Sequence, residues 1–292
     1  MIIPRLLNLF LLALGLASIN FLGSSQAWAQ AQKPSESERI KIILKGSSTL
    51  YPLAKIIGYN FSKQRSVIVN VNGGGSSFGI EHALHSGHHI GMISRDLRES
   101  EMNRGLVVHP IAVDGIAIII NKENPLRNLT LLQIKKILTG KITSWEELGW
   151  DSGAQIRLSG PSSDHGTHVA FKKLSHVGGP LTKSFRGFIS HRRVMKEVNS
   201  FPNAIAWVPL GHYLTYSHRG AQGKGRFDNI TALKIEGIAP TRENLSNKSY
   251  HYRRTLSLLA KEKSPPIIDE LIKYFRNRDS QDVIKQSGFL PY

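Results

Sequence analysis

The chain has no cysteine among its 292 residues. Disulfides, thiolate catalysis, cysteine-ligated zinc and an acylated lipoprotein cysteine are therefore excluded. Acidic residues are scarce, 21 Asp and Glu against 38 Lys and Arg, and the formal net charge is +17. A basic surface speeds encounter with anions and favours acidic partners or lipid headgroups. The marks of nucleic-acid binding are missing as well. There is no helix-turn-helix, zinc-finger or single-strand-binding pattern, and the aromatics do not interleave with the basic runs, so no nucleic-acid partner is expected. Arg192-Arg193, Arg253-Arg254 and Lys261-Glu262-Lys263 read as solvated faces. Beyond Ala29 no stretch is apolar enough to cross a membrane, and no tandem repeat or low-complexity segment appears.

What is present begins with an address. Arg5 precedes an apolar run from Leu6 to Leu22, and Ala27-Trp28-Ala29 follows as an A-x-A cleavage pattern. Residues 1–29 read as a secretory signal peptide cut after Ala29, and 30–37 as a flexible polar leader. An exported chain without cysteine fits a bacterial periplasm. The 40% hydrophobic content suits one large or two medium domains.

The rest is organised around Lys45-Gly46-Ser47-Ser48-Thr49-Leu50-Tyr51-Pro52. A β-type run, Ile40 to Leu44, ends there. Leu50, Leu53, Ala54, Ile57 and Phe61 then mark one face of a helix, with Pro52 in its first turn. A hydroxyl-rich loop at a helix start offers an anion free N–H groups and a favourable dipole. The pattern recurs twice. Val67 to Val71 runs into a Gly/Ser loop, Gly73 to Gly79, before a short helix stopped by Gly87, and Ile156 to Leu158 runs into Ser162-Ser163-Asp164-His165-Gly166-Thr167 before another. His89 to Ser94 reads as a strand ending at Ser94-Arg95-Asp96, and Thr130 caps a helix closed by Gly140. Strands alternating with helices imply a largely parallel sheet flanked by helices, whose ligands gather at the carboxyl ends of the strands. Leu106 to Asn121 is one long extended run interrupted by Asp114-Gly115, a pattern suited to crossing between lobes.

Taken together, GSSTLYPLA (46–54), VNGGGSSFGI (71–80), HIGMISRDLRESE (89–101), IAVDGIAIIIN (111–121), NLTLLQIKKILTGKITSWEELG (128–149), HGT (165–167), PNAIAWVPLGHY (202–213) and ALKIEGIAPTRENL (232–245) resemble, in order, the periplasmic phosphate-binding proteins of ABC importers. The resemblance covers essentially the whole chain after the leader. It implies the type II periplasmic-binding fold: two α/β lobes, each a mostly parallel sheet flanked by helices, joined by two crossing segments. Lobe one is expected at 38–113 and 232–292, and lobe two at 114–231. It also implies a non-enzymatic monomer that captures inorganic phosphate in the interlobe cleft and delivers it to an inner-membrane ABC permease, without cofactor or metal. The phosphate contacts it implies are Thr49 with the neighbouring backbone N–H groups of Ser48 and Leu50, then Ser76, Ser94, Arg95, Gly166 and Thr167; Asp114 and His165 join the candidate site from the residues of this chain rather than from the family pattern. The chain departs from the family pattern in its last loop. An arginine common before Ser-Gly-Thr is missing, His165 replaces the serine, and His168 stands where an arginine often follows.

Phosphate keeps a proton that sulfate lacks, so a carboxylate that accepts it admits one and repels the other. Asp114 is the first candidate acceptor, then Asp96 and Asp164; Asp114 reads equally as a hinge residue bonding nearby backbone N–H groups. The alternatives are a binder of molybdate, tungstate or sulfate, a phosphate sensor or surface adhesion protein, and a phosphohydrolase. Ser47 or Ser48 with His165 and Asp114 invites a triad reading, but no G-x-S-x-G elbow is present. Likewise Gly73-Gly74-Gly75 is not a phosphate-binding P-loop, because no Gly-Lys-Ser/Thr follows. His82, His85, His88 and His89 crowd together and are read as solvent-facing rather than metal-ligating, since Glu81 is the only carboxylate nearby.

Overall fold

The computed structural model describes residues 39–218 and 227–292. The expected signal peptide and leader lie outside the described residues. In chain order the elements are β1 Ile40–Gly46, α1 Tyr51–Gln64, β2 Val67–Asn72, α2 Ser76–Ala83, β3 His89–Ile93, β4 Leu106–Asn121, β5 Asn128–Leu129, α3 Leu131–Leu138, β6 Arg157–Pro161, α4 Gly166–Leu174, β7 Arg186–Phe188, α5 His191–Ser200, β8 Ala204–Pro209, α6 Leu210–His218, β9 Ile230–Ala232, β10 Lys234–Ile235, α7 Arg242–Ser246, β11 Arg253–Lys261, α8 Pro266–Phe275, α9 Arg278–Gln286 and β12 Leu290–Pro291.

Local chemistry accounts for the main pieces. Along β1, Ile42, Leu44 and Gly46 are buried in alternation, the period of a pleated strand. Helix α1 buries Leu53, Ala54, Ile57 and Phe61 on one stripe. Thr130 and Gln133 form a reciprocal capping box at the start of α3. Among the described residues no helix is long and apolar enough to cross a membrane.

The strands form a sheet in the order β2-β1-β3-β11-β4-β8-β6-β7, with β9 and β12 also paired to β4. β1 and β3 are parallel, as are β6 with β7 and β6 with β8. β11 runs antiparallel to both its neighbours, so the sheet is mixed where it passes through the middle of the molecule. Two hydrophobic cores share it. One is built from Ile42, Leu44, Leu53, Ile57 and Ile90 with Leu256, Leu271 and Phe275. The other gathers Ile116 to Ile120, Trp145, Phe171, Val194 and Trp207.

Strand β4 serves both. Its first half, Leu106 to Gly115, pairs with β11, and Ile116 to Ile120 pair with β8. The chain returns beside it, and the Ile116 N–H donates to the Tyr252 carbonyl at 2.8 Å. The sequence expectation placed this return near residue 232. In the structure Leu233, Ile235, Leu245, Tyr250 and Tyr252 all pack in the second core. The reason is local pairing, because β9 is held by the second half of β4 and β10 by β5. Where the crossing strands touch, Asp114 and Arg254 are cross-strand partners.

Candidate anion-binding site

Five segments converge at the carboxyl ends of the strands. The loop after β1 brings Thr49, and the start of α2 brings Ser76. The end of β3 brings Ser94, the start of α4 brings Gly166 and Thr167, and the crossing strands bring Asp114 and Arg254. All the side chains among these are buried. The Thr49 and Thr167 hydroxyls approach to 3.4 Å, and those of Ser76 and Ser94 to 3.3 Å. The Ser94 N–H also donates to Ser76 Oγ at 3.0 Å. Only glycine fits at 166, since a Cβ there would overlap Ser76 Oγ and crowd Ser94 Oγ. That close approach puts the start of α4, whose N-cap His165 makes no side-chain cap, directly against the loops of the first core.

Arg254 forms the floor. Its Nε and Nη2 donate to Asp114 Oδ2 at 3.1 and 2.7 Å. Nη1 donates to Thr167 Oγ1 at 2.9 Å and to the Ser94 carbonyl at 3.1 Å, and Nη2 also reaches Thr49 Oγ1 at 3.2 Å. One guanidinium thus ties both jaws to the crossing point. Burial pushes the Asp114 carboxyl up and the Arg254 guanidinium down, and their mutual attraction opposes both shifts. At 2.7 Å with a forked contact, pairing keeps both charged. The sequence reading of Arg253-Arg254 as a solvated face is overturned for Arg254, which is only 6% exposed. The signal that would have found it is period-two alternation: Arg254, Leu256 and Leu258 are buried on one face of β11.

Other expected residues are placed differently. The Arg95 guanidinium is buried but faces Glu101, donating to its two carboxylate oxygens at 2.6 and 2.8 Å, and touches Ser77 Oγ at 3.3 Å. The bond from Arg95 holds the Glu101 carboxyl below its ordinary range. Asp114 accepts from Arg254 and, at 3.5 Å, from the Gly211 N–H, so its oxygens are engaged within the floor. Thr49 and Leu50 direct their N–H groups to Ser47 Oγ at 3.2 and 3.4 Å, and Ser48 is half-buried beside them. Asp96 is exposed and bound by Lys173, and Asp164 is exposed. The hydrolase triad does not assemble, because Asp114 belongs to Arg254 and the His165 ring bonds the Ile189 backbone.

Sequence reasoning also missed His191 and His212. The His165 ring lies edge-on to His191 at 5.5 Å, and His191 lies edge-on to His212 at 5.0 Å. His168, by contrast, bonds the Pro161 carbonyl at 2.9 Å and packs on Phe185. At the opposite edge of the sheet, the solvent-facing reading fails for His82, which is buried and lies 3.2 Å from both the Ile43 carbonyl and His89 Nδ1. Among the described residues no group of His, Cys, Asp or Glu is arranged to hold a metal ion.

Two lobes on a shared hinge, with helix starts and hydroxyls closing on a buried arginine, define a protein of the type II periplasmic-binding class. A model of the PBP superfamily domain matches residues 26–278. A putative phosphate ABC transporter substrate-binding protein from Clostridium perfringens, solved with bound phosphate, is 31% identical, with a TM-score of 0.74 over 86% of this chain and 99% of that one. The phosphate-binding protein PstS of Bacillus subtilis is 25% identical over 97% of this chain and 94% of its own length. A phosphate transport receptor from Vibrio cholerae, at 23% identity and a TM-score of 0.71, shares the fold over 85% of this chain and 99% of its own. The chain belongs to the PBP superfamily and, within it, to the family of phosphate ABC transporter substrate-binding proteins.

Proposed function

We propose that this protein captures inorganic phosphate between its two lobes and hands it to the membrane permease of an ABC importer. The observation that carries the reading is the convergence of Thr49, Ser76, Ser94 and Thr167 around Arg254. Hydrogen bonds to a charged group contribute roughly 1.5–3 kcal/mol each, so such a cluster of donors suits a desolvated oxyanion. The Bacillus subtilis relative is called a phosphate-binding protein, and the Clostridium perfringens protein was solved with bound phosphate.

In this reading Ser48, Thr49, Leu50, Ser76, Ser94, Gly166 and Thr167 line the anion, with His165 at the start of α4 beside it. Arg254 and Asp114 form the floor, and Arg95 fixes the third loop through Glu101. The lobes divide at the crossing strands, the chain works as an extracytoplasmic monomer in the periplasm, and residues 1–29 direct its export. Closure is what the permease reads, since open and closed states differ in affinity for it. Isothermal titration of the mature protein with phosphate, sulfate and molybdate tests the choice of anion. Phosphate is expected to bind at micromolar protein and to exceed the other two. No heat with phosphate, or tighter binding of molybdate, overturns the reading.

A further inference from the structure

The cations nearest the cradle are already paired. Arg254 is bound by Asp114 at 2.7 Å, Arg95 by Glu101 at 2.6 Å, and Lys173 by Asp96 at 2.8 Å. An oxyanion stripped of water there meets dipoles and cations whose charge is already shared with carboxylates, and burying an unbalanced charge is costly. The groups placed to supply it are the imidazoles of the row His165, His191 and His212. Each adjoins the cradle: His165 precedes Gly166, His212 follows Gly211, which donates to Asp114, and the His212 ring bonds the Thr49 backbone. His191 lies between them, 4% exposed, and neither of its ring nitrogens has a hydrogen-bond partner, nor has His212 Nε2. A neutral imidazole carries one donor and one acceptor, so three buried ring atoms here are poised for partners that the protein itself does not provide.

We propose that the His165–His191–His212 row takes up a proton from solvent when the cleft loads, so that the protein binds its anion with net proton uptake. This rests on the phosphate-binding reading above and names the group that balances the ligand's charge. The titratable and charged groups facing His191 are His212 on α6, His165 at the start of α4 and Arg254 on β11. Asp164 in turn acts on His165, and Asp114 on Arg254. Burial, reinforced by His212, His165 and Arg254, holds His191 well below the ordinary histidine range, and burial holds His212 down at about 4. An anion among these groups reverses the sign of the local field and favours the imidazolium. A cavity of 260 Å³, lined by Thr49, His212 and Tyr216 together with Leu53, Ile56 and Phe289, adjoins the His212 end of the row. Because the proton enters with the anion, affinity falls as pH rises.

The test is phosphate titration calorimetry at about pH 8, where free phosphate is almost wholly the dianion, in two buffers of different ionisation heat, together with ¹⁵N spectra of the histidine rings. Wild type is expected to take up more protons per phosphate than His191→Asn. Phosphate should also move the ring-nitrogen shifts of the row to imidazolium values, which a purely structural role would not do. Should His191→Asn fail to fold, His212→Asn serves in its place, with circular dichroism confirming the fold. Equal uptake in wild type and variant, or ring shifts that stay at neutral values in the loaded protein, overturns the proposal. If phosphate gives no heat, it is the phosphate reading that has failed, and the same ring-shift titration with sulfate and molybdate decides the proton proposal.

Discussion

The cleft and the opposite edge of the sheet, at the start of β3, carry the same inventory, an arginine–carboxylate pair and three packed histidines, and treat it in opposite ways. At the far edge Arg104 and Glu81 pair in the open, with side chains 36% and 63% exposed, and His82, His85 and His89 bond backbone carbonyls or each other. In the cleft the Arg254–Asp114 pair is sealed from water, and ring nitrogens of His191 and His212 are unmatched. β3 spans the difference, with His89 at its start and Ser94 just beyond its end. The two clusters differ in the burial of their ion pairs and in the hydrogen bonding of their ring nitrogens, not in residue type.

The largest effect should come from breaking the buried pair. Arg254→Ala strands Asp114 in the hinge, and removing one partner of a buried pair costs about 3–5 kcal/mol. It also releases Thr49 and Thr167. Phosphate affinity should fall by at least about tenfold, since Thr49 and Thr167 lose the charged bonds that position their hydroxyls. Arg104→Ala at the far edge should leave both the thermal midpoint and the affinity essentially unchanged, because the pair is open to solvent. Thermal melts and calorimetry on both variants check the contrast. Equal effects, or an Arg254→Ala protein that binds phosphate like wild type, would remove Arg254 from the floor.

The histidine at the far edge makes a smaller and purely structural prediction. Burial is the main cause that lowers His82 from 6.5 to about 4. The folded state thus disfavours its proton, so the stabilisation is intact above about pH 6.5 and is lost as pH falls through that window towards 4. Wild type should lose on the order of 2 kcal/mol across it from this residue, and His82→Gln should lose correspondingly less, with phosphate affinity at pH 7 unchanged. Denaturant midpoints at several pH values measure this. A variant with the same acid slope as wild type would show that His82 titrates normally, and a change in affinity would tie the far edge to the cleft.

Much of the scaffold was legible. The strand–loop–helix repeats placed Thr49, Ser76 and Thr167 at strand ends because periodicity and glycine loops are local signals, and the structure brings all three together. The second crossing was not, because 232–252 follows the second core through short pairings with β4 and β5 that no local pattern announces. Arg254 was masked by its neighbour: a doubled arginine suggests solvent, yet strand alternation sends Arg253 and Arg254 to opposite faces. Arg95 illustrates the converse. Its partner Glu101 lies six residues on, in a 3₁₀ turn at Glu99–Glu101 whose geometry decides where the guanidinium points. The His191 and His212 positions are set by tertiary packing alone.

The smallest effect belongs to the pair that bridges the jaws in plain solvent. Lys173 on α4 reaches Asp96 beyond β3 at 2.8 Å, as short as any bond of the Arg254 floor to Thr49 or Ser94, yet its side chains are 69% and 70% exposed. In water and salt such a pair contributes at most about 1 kcal/mol. Lys173→Ala should therefore weaken phosphate binding by no more than about fivefold at low ionic strength, and the difference should vanish in about 1 M salt. The same titration on Arg254→Ala should keep its deficit at both ionic strengths, because a sealed pair is hardly screened. A Lys173→Ala loss beyond about tenfold, or one indifferent to salt, would move the work of holding the cleft shut from its floor to its rim.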